Sequence, residues 1–255
     1  MKISIITICR NNPKELITTI ESYSKFLSNE VEAIIIDGSE NIKCITTFNE
    51  SAVSKNENIT IYKQKTKGLY PAMNEGVTLA KGESIIFMNS GDTFNDEFCL
   101  KSFLEKYSHL LSSTILCGGA KLYYKDFYKY NSWNKKDELG KEWFPSHQAV
   151  FMPSNFLKEN NFSESLKISA DTELQKKAFQ KNNSLYIDQV ICNFELGGIS
   201  SKPTNFKKTI SHCRELIATR EIKSRIEIIK IYIKQIFKLL IIKLIGYRNY
   251  LRLIK

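Results

Sequence analysis

KGLYPAMNEGVTLAKGESIIFMNSGD, residues 67–92, contains one full turn of the pattern that decides the fold. Ala72 to Ala80 predicts a helix closed by Gly82, and Ser84 to Met88 a buried strand that stops at the polar run Asn89-Ser90-Gly91-Asp92. The same alternation extends toward the N-terminus. Ile3 to Cys9 is an unbroken apolar and β-branched run. After Asn11-Asn12-Pro13, a turn with proline at a helix start, Leu16, Ile20, Tyr23 and Leu27 recur at spacings of three and four. Val31 to Ile36 is a second buried strand running into Asp37-Gly38-Ser39, and Ile59 to Tyr62 a shorter third. Strands and helices alternating through about the first 90 residues predict an α/β fold: a Rossmann-like, mostly parallel sheet flanked by helices.

The second half is less regular. Lys121 to Trp143 is rich in aromatics and lysine without a clear period; a strand at Ala149 to Met152 and a helix around Asp171 to Lys181 follow. The 255 residues, 42% hydrophobic and 25% charged, can bury one core of about 200 residues with a remainder. That remainder holds the charge. Residues 202–255 carry 14 of the 37 basic side chains and 3 of the 27 acidic ones, so the formal net charge of +10 comes from the tail. The chain therefore divides into an α/β domain at 1–201 and a basic amphipathic tail at 202–255.

The six cysteines show no CxxC pair and no metal-ligand spacing, as expected of reduced structural thiols in a cytosolic protein. MKISIITICRNN is too short and too soon interrupted for a secretory leader. No window reaches the roughly 18 apolar residues of a membrane span.

In open parallel sheets, ligands bind beyond the carboxyl ends of the strands. Three such ends carry polar clusters: Thr7, Arg10 and Asn11; Asp37 to Ser39; and Asn89 to Asp92. With ISIITICRNNP, EAIIIDGS, KGLYPAMNEGVTLAKGESIIFMNSGD, PSHQAVF, ISADTEL and FELGGIS in this order over residues 3–200, the chain resembles glycosyltransferase family 2. Within it, the resemblance is to the capsule and O-antigen polysaccharide enzymes, and it implies the GT-A fold.

The resemblance implies roles residue by residue. Asp37, with Thr7 and Arg10, would meet the nucleoside of the donor; the other reading of Asp37 is an Asp-Gly-Ser turn. Asn89 to Asp92 occupies the place of the acidic motif that holds Mg²⁺ or Mn²⁺ against the donor diphosphate. Asn89 and Gly91 stand where aspartate is common, leaving Asp92 as the metal ligand, or as a helix cap. Lys67 and Asn74 would reach toward the donor, though both also suit a solvated surface, and Thr66 and Pro71 replace acidic residues often seen there. Asp171 matches the general base of inverting transfer, a position that also suits an N-terminal helix cap. His147 and Gln148 resemble the acceptor-side pair, with a core histidine the plain alternative. Gly197-Gly198 reads as a tight turn near the site.

From Ile222 the tail predicts a helix of about 30 residues, roughly 45 Å long, or two helices if Gly246 breaks it. Lys223, Lys230, Lys234, Lys238, Arg248 and Arg252 share one stripe, and Ile226, Ile229, Ile233, Ile236, Phe237, Leu240 and Leu244 an apolar face. That pattern suits a helix lying in an anionic membrane surface, or one packed on the catalytic domain or another subunit.

The expectation is thus a metal-assisted, inverting glycosyltransferase, peripheral at the cytoplasmic face of the membrane. It would use a nucleotide-sugar, a UDP-sugar foremost, and a polyprenyl-diphosphate-linked or growing polysaccharide acceptor. The alternative is a catalytically silent nucleotide-binding or membrane scaffold protein. Nucleic acid is excluded as a partner, because the charge lies on an apolar helix without stacking aromatics or a basic groove.

Overall fold

The computed structural model of the chain describes residues 1–131, 144–198, 202–203 and 205–254. The first half alternates as its patterning predicts: β1 (Ile3–Cys9), α1 (Pro13–Ser24), β2 (Val31–Asp37), α2 (Lys43–Glu50), β3 (Ile59–Lys63), α3 (Leu69–Leu79) and β4 (Ser84–Phe87). Helix α3 begins three residues before the expected Ala72, because Pro71 is tolerated in a first helical turn whose N–H groups have no intrahelical acceptor. There follow β5 (Thr93–Phe94), α4 (Leu100–Tyr107), β6 (Thr114–Tyr124), β7 (Phe127–Asn131), β8 (Val150–Pro153), α5 (Ser154–Glu159), α6 (Ala170–Lys181) and β9 (Asn183–Glu195). The tail forms α7 (Phe206–Thr219), α8 (Arg225–Ile245) and α9 (Tyr247–Leu253).

The strand order is β3-β2-β1-β4-β8-β6-β9-β5, with β7 on β6. Strands β3, β2, β1 and β4 are parallel; α1 and α2 cross over between the neighbours β1, β2 and β3, and α3 carries the chain from β3 back across the sheet to β4 beside β1. Strand β8 runs antiparallel to both β4 and β6, so the sheet as a whole is mixed. Part of the irregular stretch is the β6–β7 hairpin; its residues 132–143 lie outside the described ones. Register brings the carboxyl ends together, Cys9 opposite Asp37 and Asp37 opposite Lys63.

The apolar runs are continuous because both faces of the sheet are covered. Ile3, Ile5, Val31, Ala33, Ile35, Ile86, Leu116 and Phe151 pack on the side of α1, α2 and α4. Ile6, Ile8, Ile34, Ile36, Ile85, Phe87, Ile115 and Val150 pack on the side of α3, α5 and α6. At the amino ends of the strands, Glu32 accepts from Ser4 Oγ (2.6 Å) and Lys81 N (2.7 Å), while Gly82 N donates to Ser4 Oγ (2.8 Å), so the polar groups there are satisfied.

Beyond Ile222 the tail takes its two-helix form, breaking at Gly246 between α8 and α9. One side docks: Ile242, Tyr247 and Leu251 form a cluster with Phe127 and Leu196 on the sheet. Arg248 and Arg252 leave the expected basic stripe to grip Asp126 on the β6–β7 turn, with Arg248 Nε at 2.6 Å. Lys238 also turns inward, over the Tyr250 ring. The other side keeps Ile226, Ile229, Ile233, Phe237, Leu240 and Leu244 exposed, rimmed by exposed Arg225, Lys230, Lys234 and Lys243. Ile236 is half-buried between the two sides. Among the described residues no helix is long and apolar enough to cross a membrane.

Candidate active site

A chain of hydrogen bonds runs across the carboxyl ends of the strands. Asn89 Nδ2 lies 3.2 Å from His147 Nε2, and His147 Nδ1 lies 3.3 Å from Asp171 Oδ2. Tyr70 Oη donates to Asp171 Oδ1 at 3.3 Å and itself accepts from Ala170 N at 3.1 Å. With the Asn89 amide donating to Nε2, the imidazole proton sits on Nδ1 and points at Asp171. Burial pushes the Asp171 carboxyl up, but the His147 hydrogen bond and charge, with the Thr172 N–H and Tyr70, outweigh it and hold the group below its ordinary value. Asp171 is thus held in its carboxylate form with its side chain 25% exposed.

Two contacts invisible in the sequence hold Asp171 in place. Tyr70 comes from the first turn of α3, 101 positions away. Glu215, on α7, accepts from Lys167 N (3.1 Å), Ile168 N (2.9 Å) and Ser169 N (3.2 Å), which lead into α6. These N–H groups precede a helix start, where a carboxylate is favoured by both hydrogen bonding and the helix dipole. The first tail helix thus braces the catalytic side of the sheet.

Several expected site residues sit elsewhere. Thr7 is fully buried with its hydroxyl 3.1 Å from Tyr23 Oη; it shares a β1 face with Ile3 and Ile5 and so points into the α1 layer. Asn74 turns to the loop after α5, donating to Phe162 O and Glu164 Oε1 and accepting from Phe162 N, so it orders the approach to Asp171 and not the donor loop. Gln148 is 1% exposed and donates to Asp92 Oδ2 at 2.9 Å, away from any acceptor. Asp92 is itself buried: its Oδ1 accepts from Glu195 N at 3.1 Å, and burial raises its pKa to about 7 against the pull of Gln148, Glu195 N–H and His147.

The end of β2 is built around Asp37. Its carboxylate accepts from Ser39 N (2.9 Å) and faces Lys63 Nζ (3.3 Å), while the Cys9 thiol lies 3.6 Å away. The Asp-Gly-Ser turn is therefore present, and the carboxylate that anchors it is fully buried beneath Lys63. Arg10 pairs with Glu40 at 2.6 Å at the rim. Lys67 is exposed, and its charge joins that of Arg10 in holding the Glu40 carboxyl low. Gly197 adopts φ +121° in a turn beside Tyr124.

The sequence profile of glycosyl transferase family 2 matches residues 4–167, well over half of the chain. The chain belongs to that family. A PGL/p-HBAD biosynthesis glycosyltransferase of Mycobacterium tuberculosis is 23% identical over 206 residues, covering 78% of both chains. Among solved structures, the family 2 chain superposes on S. aureus TarS in complex with UDP-GlcNAc with a TM-score of 0.65 at 19% identity, over 86% of this chain and 66% of that one. It also superposes on the mannosyltransferase of Pyrobaculum calidifontis in complex with GDP-Man and Mn²⁺, with a TM-score of 0.57 at 13% identity, over 86% and 62%. The chain spans less than two thirds of the length of these solved structures, and at such identities they establish the GT-A fold.

Family 2 raises the question of a divalent cation, and the donor atoms bear on it. One His/Cys/Asp/Glu trio among the described residues has its ligand atoms within 4.8 Å: Cys9, Asp37 and Cys44, all buried. Its two thiols are soft ligands and do not suit Mg²⁺ or Mn²⁺, which take hard oxygens. At residues 89–92, Asp92 does not offer a free oxygen to the cleft, as both are hydrogen-bonded. Asn89 Oδ1 and Ser90 Oγ, by contrast, are buried without a hydrogen-bond partner among the described residues. Glu195 brings an exposed carboxylate to the same loop. Asn89 Oδ1 and the Glu195 carboxylate are hard oxygen donors, the chemistry suited to a cation that takes one or two protein oxygens and fills its shell with phosphate and water.

Proposed function

We propose that this family 2 chain transfers a sugar from a UDP-sugar to a hydroxyl of a lipid-linked or growing cell-surface saccharide, with inversion at the anomeric carbon. The observation that carries this reading is the Asn89–His147–Asp171–Tyr70 chain, which holds one ionised carboxylate at the strand-end cleft. In the reaction, the acceptor oxygen attacks the anomeric carbon as the bond to the leaving diphosphate breaks, and Asp171 takes the hydroxyl proton. His147 Nδ1–H and Tyr70 Oη keep Asp171 oriented and stabilise its charged form before the step. The buried Asp37 anchors Lys63 and Ser39 at the nucleoside corner, and Arg10 and Lys67 at the rim attract the phosphates. A divalent cation, when bound, supplies neutralisation of the leaving diphosphate.

The exposed stripe of α8 supports a place at the inner face of the cell membrane. Six apolar side chains rimmed by Arg225, Lys230, Lys234 and Lys243 match an anionic lipid surface in both polarity and charge. Lipid-linked acceptors are presented at such a surface.

The reading is tested by incubating purified protein with UDP-sugars and membrane-extracted acceptor lipids, following UDP release and sugar incorporation. Both are expected, and both are expected to vanish in Asp171→Asn. UDP binding without turnover on any acceptor would favour the scaffold reading, which the neutral residues Asn89 and Gly91 suggest. No binding of any nucleoside diphosphate would overturn the donor assignment.

A further inference from the structure

By the family resemblance Gly91 stands in the place of an aspartate, and its backbone conformation suits glycine. Its φ of +105° lies in the region that L side chains rarely adopt, so an aspartate there would be strained. The turn is pinned from outside: Gly91 N donates to Thr19 Oγ1 at 2.9 Å, and Gly91 O accepts from Tyr123 Oη at 3.2 Å.

A Cβ built on Gly91 would meet one atom within 4 Å, Glu195 Oε2 at 3.6 Å. The Glu195 carboxylate thus occupies the space into which a side chain at position 91 would project. It arrives from the end of β9, 104 positions along the chain. Its backbone is tied to the same loop, since Glu195 N donates to Asp92 Oδ1 at 3.1 Å. The buried Asp92 and Gln148 pair therefore positions the end of β9 against residues 89–92. Two residues before Gly91 in the same loop lies Asn89 Oδ1, a buried oxygen without a partner among the described residues. Orphaned buried acceptors are rare in folded proteins, and one in a loop met by a carboxylate is a candidate cation ligand.

We propose that Glu195 is the carboxylate ligand of the donor-bound divalent cation, replacing in space the aspartate that Gly91 cannot carry. Asn89 Oδ1 completes the protein's share of the shell, and Asp92 is a positioning residue that acts through the Glu195 backbone. This inference rests on the UDP-sugar reading above for the diphosphate that fills the remaining positions.

The test measures Mn²⁺ retention by the protein with UDP, from the loss of the free Mn²⁺ electron paramagnetic resonance signal, and UDP affinity without metal by calorimetry. Glu195 is exposed, so Glu195→Gln and Glu195→Asp are expected to melt as the parent does. Glu195→Gln should weaken Mn²⁺ retention in the UDP complex by about 10- to 100-fold, the loss seen even for outer-shell partners, with Glu195→Asp between it and the parent. UDP affinity without metal should stay within about twofold of the parent, because a uniform loss would mean a disturbed pocket. Glu97→Gln, an exposed acid elsewhere, should change neither quantity. The proposal is overturned if Glu195→Gln retains Mn²⁺ as the parent does. A parent that binds UDP equally with and without Mn²⁺ overturns it while leaving the donor reading intact. A parent that binds no UDP in either condition overturns both.

Discussion

Replacing Ile233 and Phe237 by serine should detach the protein from anionic vesicles while leaving its fold intact. Each side chain is 62% exposed in the middle of the α8 stripe. Full burial of an Ile or Phe contributes about 1.5–3 kcal/mol, so the exposed fraction of each leaves roughly 1–2 kcal/mol to be gained in a membrane interface. The pair accounts for about 2–4 kcal/mol, a loss of at least roughly 30-fold in partitioning at 1.4 kcal/mol per factor of ten. Neither residue belongs to a core cluster among the described residues, so the melting temperature should hold within about 2 °C. Lys230→Gln with Lys234→Gln should cost about 2 kcal/mol on phosphatidylglycerol vesicles and nothing on neutral ones, and salt should erase the difference. Co-sedimentation with sucrose-loaded vesicles measures both. Unchanged sedimentation of the serine variant refutes the reasoning. So does a parent that ignores lipid and is a dimer which the serine variant splits, for the stripe would then be a subunit interface.

Three further outcomes follow from the cleft and the sheet. Asp171→Asn should lower turnover by about 10²- to 10⁴-fold with UDP affinity unchanged. Because the Asp171 pKa lies below its ordinary value, the active base form is lost only as pH falls through that lowered value, so Asp171 contributes no acid limb to the rate between about pH 5 and 8. An Asp171→Asn enzyme with parental turnover would remove it from the chemistry. Glu215→Ala strands three N–H groups ahead of α6 and should cost about 1–3 kcal/mol, lowering the melting temperature by several degrees and turnover more than UDP affinity. A normal melt with normal turnover would show that α7 does not brace Asp171. Gly82→Ala places a Cβ 2.5 Å from Ser4 N, in the backbone of β1, and should destabilise by about 1–3 kcal/mol in a thermal melt.

Much of the architecture is written in local patterns. Strands β1, β2 and β4 are covered on both faces, so they appear as unbroken apolar runs, and α1 shows its buried side at spacings of three and four. Helix α2 escapes such a reading because it buries only Cys44 and Phe48, too few positions to establish a period. The tail pattern held an ambiguity that sequence could not resolve. Its helix is apolar around much of its circumference, and docking of Ile242, Tyr247 and Leu251 consumed one side while Asp126 drew off two of the expected basic residues.

In the site, Asp37 was nominated by its place at a strand end, where ligands bind in open parallel sheets, whereas Asp171 and His147 came from the resemblance of ISADTEL and PSHQAVF to family 2. The direction of each side chain was settled by packing. Thr7 shares its strand face with Ile3 and Ile5 and is drawn into the core, while Gln148 and Asp92 pair with each other in the interior. Tyr70, Glu195 and Glu215 carry no local signature, since each meets its partner from an element distant in the chain. The amino-acid sequence by itself determined the strands, the helices and the edge of the sheet where chemistry is possible. Only the tertiary structure decided which polar groups meet there, because hydrogen bonds across that edge depend on how the sheet closes and not on neighbours in sequence.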